Sequence, residues 1–188
     1  MSAPEQAGEG TLALVELIAR RGSSAEFVAL AHAHGIELPA FGRVAANADQ
    51  LALCVRPDRW LLLAPPSTAG AGAVHAGWQQ DAAGLGVAID LSSGFTALLL
   101  AGPRVREVLA RSCRVDLDQQ FFPVGHAAAT IMAQVPVILA VLPAGMLLLT
   151  PASTARHFRE WLAAAAKPFG LVPQSAISLA GLSGSENQ

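Results

Sequence analysis

Tyrosine is missing from the 188 residues, and lysine occurs once, at Lys167. Charge is scarce: Asp, Glu, Lys and Arg make up 14% of the chain, against roughly 25% in an ordinary globular domain. Twelve cations face fourteen anions, giving a formal net charge of −2 and a pI near 6.2. Such a chain has no basic footprint for a phosphate backbone, which excludes nucleic acid as a partner. Cysteine occurs twice, as Cys54 and Cys113, both in apolar surroundings. There is no CxxC and no Cys/His spacing that suits zinc. Two reduced thiols are expected, hence a reducing compartment, the cytoplasm. Met1 to Gly10 is polar and acidic and lacks the basic start and apolar core of a secretory leader, so none is expected. The longest gap is in charge itself: from Gln119 to Ala155, 37 residues, no Asp, Glu, Lys or Arg occurs.

What fills the space is apolar. Hydrophobic residues make up 53% and the mean hydropathy is +0.45. This offsets the entropy of ordering and excludes general disorder. The length suits one domain, with or without a tail. Ala127 to Thr150 is long enough to cross a bilayer as a helix. Pro136 and Pro143 interrupt it, Gln134 lies within it, and Val135, Val137, Ile138 and Val141 are β-branched. No Lys/Arg cluster flanks it. Pro143-Ala144-Gly145 reads as a turn between two strands, so no membrane span is expected.

Leu12–Arg20 is a short apolar run that periodicity alone leaves open between strand and helix. Ser23-Ser-Ala-Glu26 reads as a capping box. A helix follows with Phe27, Leu30, Ala31 and His34 on one stripe and Gly35 as its stop. Gln50–Val55 and Trp60–Leu63 read as strands around an Arg56-Pro-Asp-Arg59 turn. Pro65–Gly72 reads as a loop and Ala73–Ala82 as a helix. Gly86–Leu91 and Phe95–Leu100 read as strands around Ser92-Ser-Gly94. Gly102-Pro103 opens a further helix with Val105, Val108, Leu109 and Ser112 inward. Thr130–Ala133, Pro136–Leu142 and Met146–Leu149 are strand candidates. Ser153 or Thr154 caps a last helix with Phe158, Trp161, Leu162 and Ala165 on its stripe, and Arg156–Glu160 as an i,i+4 pair. The mixture is α+β: a compact, mostly antiparallel sheet with flanking helices.

Chemistry-bearing motifs are few. Gly70-Ala-Gly72 with Gly77 has the wrong spacing for a dinucleotide fingerprint, and Asp90 stands beside a turn rather than at a Rossmann strand end. His32, His34, His75, His126 and His157 are scattered, without HExxH, so no metal site is expected. No GxSxG elbow exists, and Cys113 has no neighbouring His to activate it. Arg104, Arg106, Arg111 and Arg114 gather around one helix, suiting either a solvated face or a partner surface. Trp60 reads as a core or interface anchor. No catalytic set is expected. The candidate contact residues are Trp60, Arg104, Arg106, Arg111, Phe121 and Phe122.

Four segments occur in an order that resembles a known family: GIELPAFGRV…LALCVRPDRWLLLAP (Gly35–Pro65), VAIDLSSGFTALLLAGPRVREVLARSCRVDL (Val87–Leu117), FFPVGHAAATIMAQVPVILAVL (Phe121–Leu142) and FREWLAAAA (Phe158–Ala166). Together they resemble the gamma subunit of heterotetrameric sarcosine oxidase, across about Leu12 to Ala166. That family looks like the folate-binding domain of the glycine-cleavage aminomethyltransferases, which implies a strand for Leu12–Arg20. The resemblance implies an accessory gamma subunit without catalytic residues or a cofactor of its own. Alpha, beta and delta partners would carry FAD, FMN, NAD and tetrahydrofolate and oxidise an N-methyl amino acid. It implies one domain over 12–166, a flexible start over 1–11 and a tail over 167–188, loosely held. Enzymatic relatives place an acidic residue where this chain reads Gln134-Val-Pro-Val137. No carboxylate lies between Asp118 and Glu160, so no general base comes from this stretch. The Lys-Gly-Cys motif of another branch of the fold is also missing. The alternative is a stand-alone folate-dependent aminomethyl transferase. The excess of apolar residues further implies a surface covered only in an assembly.

Overall fold

A computed structural model describes residues 12–47, 50–65 and 71–175. The polar start, most of the Pro65–Gly72 loop and the end of the tail lie outside them. The strands are β1 (Ala13–Ala19), β2 (Arg43–Ala46), β3 (Leu51–Arg56), β4 (Arg59–Ala64), β5 (Gly86–Asp90), β6 (Phe95–Leu100), β7 (Ala127–Met132), β8 (Val135–Leu142) and β9 (Gly145–Pro151). The helices are α1 (Ser24–Ala33), α2 (Ala71–Asp81), α3 (Val105–Ala110) and α4 (Ala155–Ala166). The strands form a five-stranded sheet, β2-β3-β4-β1-β5, and a four-stranded sheet, β6-β9-β8-β7. Every strand pairing is antiparallel.

Strand alternation accounts for the layering. Leu14, Leu51, Leu53, Leu61 and Leu63 of the larger sheet meet Leu99, Ala140, Leu142, Leu147 and Leu149 of the smaller one. Their neighbours one residue on point the other way. Val15, Leu17, Ala52, Cys54 and Leu62 pack under Phe27 and Ala31 of α1 and Trp78 of α2. Leu98, Leu100, Leu139, Val141, Met146 and Leu148 pack under α3 and α4, where Phe158 and Leu162 are fully buried. The order is helix, sheet, sheet, helix. Both sheets are covered on both faces, so their strands read as unbroken apolar runs rather than alternating ones. Much of the unusual apolar content therefore lies inside this chain. The expectation that it marks a surface hidden by partners narrows to seven large apolar side chains exposed among the described residues, Phe41 and Phe121 among them.

The charge-free stretch is the hairpin pair β7–β8–β9. No helix of the described residues is long and apolar enough to cross a membrane. Pro136 stands opposite Ile131 of β7, but the β8–β9 ladder begins only at Ile138. Its missing N–H therefore costs that ladder nothing.

Several local expectations change. β2 was hidden in the sequence, because only Val44 of Arg43–Ala46 favours a strand; it exists by pairing with β3. β7 begins at Ala127, since pairing with β8 recruits three alanines of low strand propensity. α2 begins at Ala71 and α3 at Val105, so Pro103 lies in the turn ahead of α3. Ser23 and Thr154 make no side-chain cap; Thr154 Oγ1 instead donates to the Pro151 carbonyl. Arg156 and Glu160 do not pair; the helical ion pairs are Arg104–Glu107 and Glu107–Arg111 on either side of α3. The tail is not loose up to Gln174. Phe169 and Leu171 pack on the outer core, and Gln174 bridges Leu99.

The β7–β8 turn is built from Ala133 and Gln134 at φ of 47° and 64°. Both central residues of this two-residue turn sit in the left-handed region, which glycine or asparagine adopts at lower cost. Gln134→Gly should stabilise the chain by about 1 kcal/mol, a rise of roughly 2–4 °C in Tm. A calorimetric scan showing a lower Tm would refute this account of the turn.

Candidate functional site

No group of three His, Cys, Asp or Glu among the described residues is placed to hold a metal. Three of the five histidines, His34, His75 and His126, make local contacts. His75 Nε2 lies 2.9 Å from the Ala88 carbonyl, and His34 pairs with Asp81 at 3.3 Å. Asp90, the acid of the imperfect dinucleotide pattern, accepts from the Ser92 amide at 2.8 Å. Hydrogen bonds from the Ser92 side chain, then its amide, hold the Asp90 carboxyl below the usual range. It braces a turn. Gly72 lies inside α2, and Gly70 lies outside the described residues. Cys54 is buried, and desolvation raises its thiol pKa, the reverse of what a nucleophile needs.

His126 is half-buried, set edge-on to Phe122 and hydrogen-bonded to Arg43, whose strand it bridges. Desolvation and then the Arg43 charge lower its pKa. The folded chain thus prefers the neutral ring. Its contribution to stability is complete above the ordinary histidine range and fades as pH falls through it. An NMR titration should find His126 titrating below the ordinary histidine value.

The six candidate contact residues fall into two groups. Trp60 is buried, stacked on Phe27 at 5.9 Å, and its indole N–H donates to the Pro39 carbonyl at 2.9 Å. Phe122 is buried as well. The Arg106 guanidinium donates to the Leu117 carbonyl at 2.5 Å and the Phe122 carbonyl at 2.9 Å. These three face into the chain. Arg106→Met should cost about 1–3 kcal/mol, because two partly buried carbonyls lose a charged donor. It should also speed amide exchange over residues 116–122; unchanged exchange there would count against this role. Arg104, Arg111 and Phe121 remain exposed. Arg104 and Arg111 both lie over the Phe169 ring, at 4.5 and 4.8 Å, and share Glu107. Phe121 is 65% exposed, on the loop leading into β7.

Among the clefts of the surface, two bear on the candidate residues. One, of about 340 Å³, lies between the end of α1 and the β2–β3 hairpin, lined by His32, Glu37 and Gln50 among others. The Gln50 side-chain oxygen is buried there without a hydrogen-bond partner. The other, of about 240 Å³, opens between the sheets and is lined by Glu16, Arg56, Arg59, Leu91, Phe95 and Ile138 among others. Neither sets an acid and a base within reach of each other beside a nucleophile. The described residues bring together packing surfaces and a charged cleft, and no catalytic constellation.

A family model described as the sarcosine oxidase gamma subunit family matches residues 21–167. A sarcosine oxidase gamma subunit from an Arthrobacter species is 40% identical over 118 residues, 62% of this chain and 57% of that one. The gamma subunit from Corynebacterium sp. strain U-96 is 36% identical over 149 residues, 74% of this chain and 71% of that one. The chain thus spans somewhat over half of the Arthrobacter relative. Among solved structures, a chain of heterotetrameric sarcosine oxidase from Corynebacterium sp. U-96, in complex with pyrrole 2-carboxylate, superposes with a TM-score of 0.74. It is 32% identical, over 85% of this chain and 82% of that one. The glycine cleavage system aminomethyltransferase T from Bartonella henselae superposes at 0.59 with 19% identity, over 81% of this chain and 43% of that one, a likeness of fold.

Proposed function

Because the chain belongs to the sarcosine oxidase gamma subunit family, we propose that it is the accessory, non-catalytic gamma subunit of a heterotetrameric flavoenzyme that oxidatively demethylates an N-methyl amino acid. Its partners are then alpha, beta and delta subunits in the cytoplasm, and FAD, FMN, NAD and tetrahydrofolate sit on those partners. The unit that fills the role is the domain over 12–166, extended by the packed segment to Gln174. Arg104, Arg111 and Phe121 are the contact residues of the original six that remain available on its surface.

The observation that carries the reading is the missing carboxylate. The β7–β8 hairpin and β9 hold no acid or base beyond His126, and Gln134 occupies a turn. Oxidising or transferring a one-carbon unit needs a group that moves a proton or steadies a cation; this region offers no carboxylate for it, and its histidine is engaged by Arg43. The chain should be co-expressed with the three other subunits, with the tag on a large one. Recovery in a flavin-containing complex supports the proposal. A stable monomer that never co-purifies with the flavoprotein overturns it. Tight tetrahydrofolate binding by the isolated chain, measured by calorimetry, overturns the non-catalytic part and favours the transferase alternative.

A further inference from the structure

The cleft between the two sheets is lined by residues of β1, β3, β4, β7 and β8, with Leu91 and Phe95. In register, Ile18 faces Arg59 and Val87, and Ile131 faces Pro136. The face that packs sheet on sheet elsewhere is open to water here. Val87 is 44% exposed, Ile89 41% and Ile131 37%. These strands form the jaws of the charged cleft: Ile89 stands opposite Glu16, and Ile131 is two residues beyond Ala129 on the same face of β7, and both Glu16 and Ala129 line it.

We infer that this mouth is the docking surface for a partner subunit, which inserts a segment of apolar side chains carrying a carboxylate. The inference rests on the subunit reading above. Its chemistry is set by the lining. Arg59 lies 3.5 Å from Glu16, so those charges offset each other. Arg56 lines the same cleft and has no hydrogen-bond or ion-pair partner for its side chain among the described residues. Two cations against one carboxylate leave one positive charge for the partner to meet. The branched side chains on both jaws ask for an apolar insert.

Other occupants fit less well. A second copy of this chain in a two-fold contact would set its own Arg56 surplus against the same surplus. A small free carboxylate would meet Arg56 and leave Val87, Ile89 and Ile131 in water. Addition of a strand to β5 is blocked at Ala88, whose amide donates to Gln79 Oε1 at 3.0 Å and whose carbonyl lies 2.9 Å from His75 Nε2. The partner therefore meets side chains rather than an edge. This surface is at the end of β7 remote from Phe121, so two partner chains could be engaged at once.

The test uses the full chain co-expressed with the three other subunits. Arg56→Glu with Ile89→Asp should lower its recovery in the complex by about tenfold, while Arg159→Glu on α4 should not. A complementary chain carries photoreactive benzoylphenylalanine at position 89, and irradiation should join it to a larger subunit. If the wild-type chain assembles and the double variant assembles equally well, the mouth is not the docking surface, and the subunit reading stands. If the double variant misfolds on its own, the cross-link decides. An assembled complex with no cross-link, or one between two copies of this chain, overturns the inference. Failure of the wild-type chain to assemble overturns both readings.

Discussion

Trp60→Ala should destabilise the folded chain by about 3–5 kcal/mol, enough to lower Tm by roughly 10 °C. The indole is 6% exposed and completes the core between the larger sheet and α1. Truncation empties the face of Phe27, which is itself fully buried and also stacks on Trp78 at 6.4 Å. It also removes the donor to the Pro39 carbonyl. Trp60→Phe is the milder change: it keeps a ring against Phe27 but loses the hydrogen bond and part of the buried indole, about 1–3 kcal/mol. A denaturant titration of the isolated chain measures both. If Trp60→Ala unfolds like wild type and only weakens assembly, Trp60 is a contact residue and this packing argument fails.

Gly86→Ala should be comparably damaging, at about 3 kcal/mol. A Cβ there would stand 2.2 Å from the Ile18 carbonyl oxygen and 2.6 Å from Cε2 of Phe27. The first is backbone inside the β1–β5 ladder, and the second belongs to a ring held on both sides by tryptophans. Neither yields cheaply. Phe27→Leu in the same chain should not rescue the variant, because the carbonyl clash remains. Gly77→Ala is the control. It lies in α2 with nothing within 4 Å of its added Cβ, and should be neutral or stabilising by up to about 1 kcal/mol. Equal thermal stability of the Gly86 and Gly77 variants would contradict the close approach of α1 to β5.

These two residues show what the chain concealed. Trp60 follows a charged turn and precedes three leucines, a pattern that suits a core and an interface equally. Which one depends on whether a helix covers that face of β4, and α1 lies far from it in sequence. Phe122 and Arg106 were misleading for the same reason. An arginine on a short helix reads as a solvated cation until a loop eleven residues on brings the Leu117 carbonyl to it. The charged mouth was invisible as a site. Glu16, Arg56 and Ile138 lie on three strands of two sheets, and no spacing in the sequence relates them.

The sequence by itself determined the composition class, the turns and most strands and helices. Those depend on local chemistry: Gly35 adopts φ 72° at the end of α1 as its position implies, and Pro143-Ala-Gly145 breaks the longest apolar run. The ordered segments it shares with a known family were enough to locate the fold. The tertiary structure alone decided where the apolar excess goes. Period-two alternation can mark one buried face, but a strand apolar on both faces looks the same beneath a helix, within a bilayer or against a partner. Two sheets stacked on each other and covered by helices resolved that ambiguity, because each buried leucine of the strands then has a neighbour within this chain. What stays uncovered among the described residues is seven large apolar side chains, Val87, Ile89 and Ile131 near the charged cleft and Phe41 and Phe121 elsewhere.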